Sequence, residues 1–254
     1  MLKKNIQKPA SLCYKKHSMS KKNSSVILKN QFKDYTELSK IYSAFSKKII
    51  NLQKKNFLVA VSGGADSLAL TALIKSFSYK NKCKVSYVLI DHNLRKNSET
   101  EAKSVKRLLK KFQINLNIIK NNRIIKKNIQ SEARRIRYNL LSSFCKKSKI
   151  KVILTAHNLE DQVETFFIRL SRGSGIQGLS SMKQSNKIEK NIILLRPLLE
   201  VKKDQLIKIS KLIFNKFYKD PSNNNVKYLR TRIRKLKKSI ESSGINYDQI
   251  FQSI

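Results

Sequence analysis

The chain has 254 residues, of which 40% are hydrophobic and 28% are charged, so it can form one sizeable core and is not disordered overall. Its 55 Lys and Arg residues outnumber its 16 Asp and Glu residues, which gives a formal net charge of +39. This charge suits a polyanionic partner such as nucleic acid, or an anionic membrane surface. A biased, lysine-rich composition would also spread lysines along the whole chain, as they are here, so charge alone does not identify the partner.

The cysteines and the hydropathy pattern exclude several classes of protein. Cys13, Cys83 and Cys145 lie far apart and form no Cys-x-x-Cys pair, which argues against a disulfide framework, a zinc ribbon or an iron–sulfur cluster. The pattern favours a reducing compartment, namely the cytoplasm or an organellar stroma or matrix. No apolar run approaches a membrane-spanning length, and no signal peptide is visible, so we expect no membrane association.

Composition divides the chain into three parts. Residues 1–31 are rich in lysine and serine and contain no acid, so we expect a basic, disordered extension, an organellar transit segment, or an upstream extension before a start at Met19. Residues 32–217 form the predicted main domain. Residues 218–254 form a predicted basic helical segment at the C-terminal end. The sequence does not determine the oligomeric state, and a homodimer is compatible with it.

Apolar strands alternate with amphipathic helices along the main domain. A first helix is predicted from Tyr35 to Leu52, where apolar residues recur at helical spacing. The predicted strands are FLVAV, KVSYVLID, INLNIIK, KVILTA and NIILLRPLL, with helices beginning near positions 67, 98, 131 and 159 between them. Two further helices are predicted around 202–217 and 226–240. The alternation predicts an α/β, Rossmann-like fold, with a mostly parallel five-stranded sheet and helices on both faces.

The turn after the first strand has the composition of an anion-binding loop. It reads SGGADS, from Ser62 through Gly63, Gly64, Ala65 and Asp66 to Ser67. The glycines let successive N–H groups point at an anion, the serines add hydroxyl donors, and we expect a helix to begin at Ser67. Asp66 would repel a bare phosphate, but it suits a site where it holds Mg²⁺ on a triphosphate or orients a cationic reactant. The alternative is an ordinary strand–helix turn of small residues.

With its aspartate and without a lysine, this loop resembles that of the PP-loop ATP pyrophosphatases, which cleave ATP between the α and β phosphates. Within that superfamily, five further segments occur in the order seen in the tRNA(Ile)-lysidine synthases. They are DHNLRKNSETEA, SEARRIRY, TAHNLEDQVETFFIRLSRGSGIQGLSSM, LLRPLL and DPSNNNVKYLRTRIR. The resemblance covers roughly residues 55–235 and implies an adenine nucleotide α-hydrolase type of fold.

The resemblance implies a two-step ligation on the wobble cytidine of an isoleucine tRNA with anticodon CAU. The C2 oxygen of the cytosine attacks the α-phosphate of ATP and expels pyrophosphate, in a site that uses Mg²⁺. The ε-amine of free L-lysine then attacks the activated C2 and expels AMP, which leaves lysidine. The implied partners are therefore that tRNA, ATP and free lysine.

An acid pair is expected to serve the lysine step. Asp161 and Glu164 are spaced i,i+3 on a predicted helix, so both carboxylates can face one point, which suits a lysine ammonium. Both could instead be surface partners of the many lysines. His157 lies on the same face and is expected at the nucleotide, either in contact with it or in proton transfer, or as a structural hydrogen-bonding group.

The remaining expected site residues are mostly basic. Asp91 ends the second strand, where the adenosine should lie, although it could simply cap the next loop. Arg134 and Arg137 share a helix face that could meet the α-phosphate, although either could be a surface arginine. The resemblance favours Arg137 for catalysis, and Arg134 is expected at the tRNA. The expected tRNA contacts continue with Arg172, in a glycine-rich loop, and with the basic helix residues Arg230, Arg232 and Arg234.

Three positions differ from the usual family pattern. Asn158 stands where a second histidine is common, Glu160 where a second aspartate is usual, and Thr231 where the basic run usually has an asparagine. Larger members continue into C-terminal domains that help hold the tRNA, so we expect either the positive charge of this chain or a partner to supply that grip.

Two alternatives belong to other functional classes. One is a different PP-loop tRNA enzyme, such as a sulfur-inserting one, but those of the 2-thiocytidine type use Cys-x-x-Cys pairs that this sequence lacks. The other is a non-catalytic basic RNA-binding protein that retains a nucleotide fold. Lysine-dependent release of pyrophosphate from ATP would separate all three.

Overall fold

The computed structural model describes residues 36–125, 127–180, 182–221 and 225–254. The predicted extension 1–31 and Tyr35 lie outside these residues. The helices are α1 (Thr36–Ile50), α2 (Ala65–Asn81), α3 (Ser98–Lys110), α4 (Ile129–Lys147), α5 (Leu159–Leu170), α6 (Ile176–Leu179), α7 (Lys203–Phe214), α8 (Leu229–Ser242) and α9 (Tyr247–Gln252). The strands are β1 (Asn56–Val61), β2 (Lys84–Asp91), β3 (Leu116–Lys120), β4 (Val152–Leu154), β5 (Ser185–Glu189) and β6 (Ile192–Leu195).

The strands form one sheet in the order β3-β2-β1-β4-β6-β5. All neighbouring pairs are parallel except β5 with β6, which is an antiparallel hairpin at the edge. The predicted α/β class and mostly parallel sheet are confirmed. The sheet has six strands rather than five, because the polar, largely exposed segment SNKIE pairs as β5 with the apolar β6.

The two faces of the sheet bury alternate residues of each strand. Phe57, Val59 and Val61 of β1 pack into the larger core, which is completed by α1, α2, α3 and α7. Leu58 points to the opposite face, where it packs with Leu141 of α4. Helices therefore cover both faces, as predicted, and β1 and α2 lie at the centre of the molecule.

The C-terminal helices lie against α5. Leu159 and Val163 of α5 form a small buried cluster with Tyr247 of α9. The ring of Tyr247 also lies 6.4 Å from that of Phe167. Within the described residues, no helix is both long and apolar enough to cross a membrane.

Candidate functional site at the switch point of the sheet

The order of the strands creates a crevice between β1 and β4. From β1 the chain proceeds outward to β2 and β3, then returns to the other side of β1 to form β4. In parallel sheets, ligands bind at such a reversal, beyond the carboxyl ends of the strands. The segments that leave β1 and β4 at that end are the SGGADS loop and residues 155–161.

The SGGADS loop is held in a tight turn by its own side chains. Gly63 has φ +82°, and a Cβ built on it would lie 2.5 Å from Val105 Cγ2, so only glycine fits. Ser67 Oγ accepts from Ser62 N–H at 3.1 Å and donates to the Gly64 carbonyl at 3.0 Å. Outside the loop, Tyr218 N–H donates to the Gly63 carbonyl at 2.9 Å.

The helix after this loop begins at Ala65, two residues earlier than expected. Its N-cap is Gly64, and no side chain caps it. The first amides of a helix have no intrahelical carbonyl to bond, and the helix dipole adds positive potential there. The first amides of α2, from Ala65 onward, are therefore available to an anion. This is the chemistry expected of a phosphate site.

Asp66 combines burial with an unsatisfied oxygen. Its Oδ1 is buried without a hydrogen-bond partner among the described residues. Burial raises the pKa of Asp66 to about 6, with Lys203 and Arg234 opposing the shift and Asp161 adding to it. A buried carboxylate oxygen of this kind fits a cation such as Mg²⁺. Within the described ranges, no group of three or more His, Cys, Asp or Glu residues could hold a metal ion.

The acid pair on α5 converges on one guanidinium. Glu164, only 2% exposed, accepts two hydrogen bonds from Arg234, at 2.7 and 2.8 Å. Asp161 lies 4.0 Å from the same guanidinium, and Arg230 approaches Glu164 at 3.6 Å. Burial raises the pKa of Glu164, whereas the bonds from Arg234 oppose that shift. The two carboxylates thus face a common point, which the guanidinium of Arg234 occupies.

The start of α5 fixes the position of Asp161. Asn158, 1% exposed, accepts from Asp161 N–H at 2.9 Å, and Asp161 Oδ2 accepts from Asn158 N–H at 3.2 Å. This reciprocal capping box anchors the carboxylate at the first turn of the helix. Asn158, which differs from the usual family pattern, therefore serves as the N-cap of α5.

Beside the acid pair is a small open cleft. It is lined by three acids, three bases and one aromatic residue, namely Glu160, Glu164, Asp204, Lys203, Arg234, Lys237 and Tyr247. Its volume of about 190 Å³ is below the roughly 300–1,000 Å³ of pockets for drug-sized ligands. The cleft therefore suits an amino acid better than a nucleotide.

The second departure, Glu160, belongs to this cleft. Its side chain is buried and accepts from Lys203 N–H at 2.9 Å and from Lys237 Nζ at 3.3 Å. From the sequence we noted Glu160 as a departure but did not predict it as a site residue, although a third acid beside Asp161 in an acid-poor chain was a usable signal. Lys203 and Lys237 carried no such signal, because the contacts join residues at least 43 positions apart.

His157 is a neutral group between strand and helix. Its Nδ1 lies 3.0 Å from Thr155 Oγ1. Burial lowers the pKa of His157 to about 4, and the charges of Arg196 and Arg134 add to that shift. The ring is thus uncharged at neutral pH. It can accept or donate a hydrogen bond, but it is a weak base.

A second group of predicted residues lies at the end of β2. Asp91 is buried, its Oδ1 accepts from Asn93 N–H at 2.9 Å, and its Oδ2 has no partner among the described residues. Arg137 approaches Nε2 of His92 at 3.4 Å. Burial and the charge of Arg137 lower the pKa of His92 to about 4, so the imidazole is neutral and can accept from the guanidinium.

The predicted tRNA-contact arginines fall into two groups. Arg172, Arg232 and Arg134 are exposed, and Arg134 lies 5.2 Å from the centre of the Tyr138 ring. Arg230 and Arg234 instead point inward, toward Thr165 and Glu164. The third departure, Thr231, is buried on the same helix. One face of α8 therefore packs against α5, and the other is open to solvent.

A family model described as a PP-loop domain matches residues 34–239. The chain belongs to the PP-loop family. The family assignment supports the use of ATP, and the similarity to solved structures agrees with the fold. The U34-tRNA thiolase of Methanococcus maripaludis superposes with a TM-score of 0.71 at 16% identity, covering 85% of this chain and 76% of that one.

Several curated relatives of this PP-loop chain share the name tRNA(Ile)-lysidine synthase. This chain is 42% identical to the tRNA(Ile)-lysidine synthase of Wolbachia pipientis wMel, over 76% of this chain and 45% of that protein. The synthase of Orientia tsutsugamushi (strain Boryong) is 42% identical over 72% and 41%, and that of Rickettsia bellii (strain OSU 85-389) is 34% identical over 84% and 50%. The resemblance predicted from the motifs is confirmed. The chain spans about half the length, or less, of these relatives.

Proposed function

We propose that this PP-loop chain ligates free L-lysine to C2 of the wobble cytidine of tRNA(Ile) with anticodon CAU, with ATP as the activating substrate. One observation carries the proposal: Asp161 and Glu164 converge on a single cation beside the SGGADS loop. An anion site next to a cation site is what a reaction between ATP and a lysine ammonium requires. The name of the relatives supports tRNA(Ile) as the substrate and lysidine as the product.

The first step would take place at the SGGADS loop. The amides at the start of α2 would hold the pyrophosphate that leaves when the C2 oxygen attacks the α-phosphate. Asp66 would hold Mg²⁺, whose chemistry when bound is to neutralise charge on phosphate oxygens. Arg137 supports the same step, since His92 holds a guanidinium that can offset charge on the α-phosphate. Asp91 ends the neighbouring strand, where the adenosine would lie.

The second step would take place at the acid pair. The ε-amine of lysine must lose a proton before it attacks C2, and the pKa of a free lysine is about 10.4. Asp161 and Glu164 would hold the ammonium, and a carboxylate of the group would accept its proton. The new C–N bond forms as the C2–O bond breaks and AMP leaves. The cleft beside Glu164 has both acids and bases, which suits the charges of an amino acid.

The tRNA would lie against exposed basic residues, including Arg134, Arg172 and Arg232. Its phosphates would complement the net charge of +39. A tRNA substrate is consistent with action in the cytoplasm.

The experiment is to incubate the protein with ATP, Mg²⁺, labelled lysine and unmodified tRNA(Ile) bearing CAU. We expect acid-stable label in the tRNA that requires ATP and disappears when the wobble cytidine is replaced by uridine. Pyrophosphate release without lysine incorporation would contradict the proposal and indicate another nucleophile. No turnover, with tRNA binding intact, would favour a non-catalytic RNA-binding protein.

A further inference from the structure

Arg234 occupies the point at which the proposed lysine ammonium would bind. Both of its hydrogen bonds to Glu164 are short, 2.7 and 2.8 Å, and they form a two-bond pairing with one carboxylate. Its guanidinium also lies 4.0 Å from Asp161, the other acid of the pair. Arg234 also interacts electrostatically with Asp66. The charge of Arg234 lowers the pKa of Asp66, and the charge of Asp66 raises the pKa of Arg234.

A cation is needed there because Glu164 is only 2% exposed. Removing the partner of a buried carboxylate leaves an uncompensated charge, which is strongly destabilising. The chain therefore fills the position with a group of its own. A guanidinium stays protonated at any accessible pH and does not act as a nucleophile, so it cannot replace the lysine amine in the reaction.

We propose that Arg234 is an internal competitor of the substrate: it occupies the ammonium site of Asp161 and Glu164 until free lysine displaces it. This inference rests on the proposed function. Lysine binding then replaces the guanidinium of Arg234 with an ammonium at Glu164. The affinity for lysine is therefore lower than at an empty site, by the free energy that Arg234 gains from the same carboxylates.

The surroundings of Arg234 allow it to leave. Its side chain is 31% exposed, whereas that of Glu164 is 2% exposed, so the guanidinium lies on the solvent side of the pair. Among the residues of α8, only Thr231 and Ile233 are buried. A displaced guanidinium would be close to the Asp66 side of the site, where an anionic phosphate of the activated tRNA could receive it. By linkage, an anion that holds Arg234 away from Glu164 must also strengthen lysine binding.

The test measures lysine binding to the full chain by calorimetry, without turnover. Arg234→Gln removes the guanidinium, and we expect it to lower the Kd of lysine about 5- to 10-fold. Lys238→Gln is the matched control, because it removes one charge from an exposed position on the same helix. We expect that variant to change the Kd less than 2-fold. A Kd that rises in Arg234→Gln would overturn the inference and make Arg234 part of the lysine site.

Methylguanidinium provides a readout that loss of packing would not change. In Arg234→Gln it should fill the vacated position and compete with lysine, whereas in the unaltered chain it should compete much less. Equal competition in both proteins would overturn the inference. Arg234→Lys covers the case in which the glutamine variant does not fold. A single ammonium cannot form the two-bond pairing, so the Kd of lysine for Arg234→Lys should be lower than that for the unaltered chain, and an unchanged Kd would overturn the inference.

Failure of the proposed function gives a different result. If lysine binds to neither the unaltered chain nor Arg234→Gln while ATP-dependent pyrophosphate release persists, the acid pair is not a lysine site, and both proposals fall. If lysine binds to the unaltered chain and binds more weakly to Arg234→Gln, only the internal competitor is excluded.

Discussion

Asp66 is an unusual residue for a phosphate loop, and its surroundings explain its presence. Its Oδ1 is buried without a partner among the described residues, and burial raises its pKa to about 6. The charge therefore destabilises the ligand-free protein. A cation bound at this oxygen would remove that cost, so the buried charge favours the substrate-bound state.

The substitution Asp66→Asn tests this account through pH. Between about pH 4 and pH 6 the folded state retains a proton that the unfolded chain has lost, so stability falls as the pH rises through that window. Above it, the charged carboxylate costs at most about 3 kcal/mol. We expect Asp66→Asn to raise the Tm at pH 7.5, to leave it nearly unchanged at pH 4, and to abolish pyrophosphate release. An equal gain in Tm at both pH values would exclude the buried charge as its cause.

The two glycines of the loop are predicted to differ. Gly63→Ala places a methyl group 2.5 Å from Val105 at a positive φ, so we expect a loss of about 2–4 kcal/mol in the free energy of unfolding. Gly64→Ala is the control: its φ is −71° and its Cβ would meet nothing closer than 3.6 Å. Urea denaturation compares the two. Similar losses would mean that the tight turn is not what selects glycine.

Helix α5 combines folding and chemistry in one element. Its capping box holds Asp161, its second turn carries Glu164, and its apolar face binds the C-terminal helices. The acids are therefore positioned by the rigid start of a helix rather than by a loop. That rigidity is what a site for a small cationic group requires.

Loss of the cap should affect lysine more than ATP. Asn158→Ala removes the bond to Asp161 N–H, which should cost about 1–2 kcal/mol and raise the KM for lysine several-fold. Asn246→Ala is the matched control, because Asn246 caps α9 by the same kind of bond, to Asp248 N–H. We expect it to lower stability without a comparable change in the KM for lysine. If both variants change that KM equally, the cap has no specific role in positioning Asp161.

Elements with strong apolar patterns were predictable, and polar ones were not. Strands β1, β2 and β4 are apolar runs, and α5 begins at the predicted residue, since buried faces leave a periodic signal. β5 was missed because the polar SNKIE segment is an exposed edge, stabilised by its hairpin partner. α2 begins at Ala65 rather than Ser67 because Gly64 serves as its N-cap without a side chain.

In the whole molecule, the acidic residues are concentrated around the proposed cation site. Five of the 16 acidic residues belong to one region: Asp66, Glu160, Asp161, Glu164 and Asp204. Most other surfaces are basic. The molecule therefore presents a cation site within a surface suited to a polyanion.

Binding of tRNA should depend steeply on salt. Each phosphate contact contributes about −0.7 to −0.9 to the slope of log K against log salt concentration, and we expect a total steeper than about −4. Arg232→Gln, at an exposed position of α8, should reduce the magnitude of that slope by about one. Titrations between 50 and 200 mM salt would measure both. A flat response would mean that the positive charge is incidental to RNA binding.

The candidate site was predictable where its residues are close in sequence. The SGGADS loop and the pair Asp161 and Glu164 are short motifs, and the strand order brings them together at the carboxyl ends of β1 and β4. The inward direction of Arg234 was not predictable, since 70 positions separate it from Glu164. The position of Arg234 depends on the packing of α8 on α5, and the basic composition of α8 does not predict that packing.

We propose that adenylation takes place at the SGGADS loop and lysine transfer at the acid pair on α5. The substitution Asp161→Asn tests this separation most directly. We would quantify adenylated tRNA and lysidine by mass spectrometry in reactions with ATP and lysine. The account predicts near-normal pyrophosphate release, accumulation of adenylated tRNA, and a KM for lysine raised at least about 10-fold, because one charge of the ammonium site is lost. Equal loss of adenylation and lysine transfer would contradict a separate ammonium site on α5.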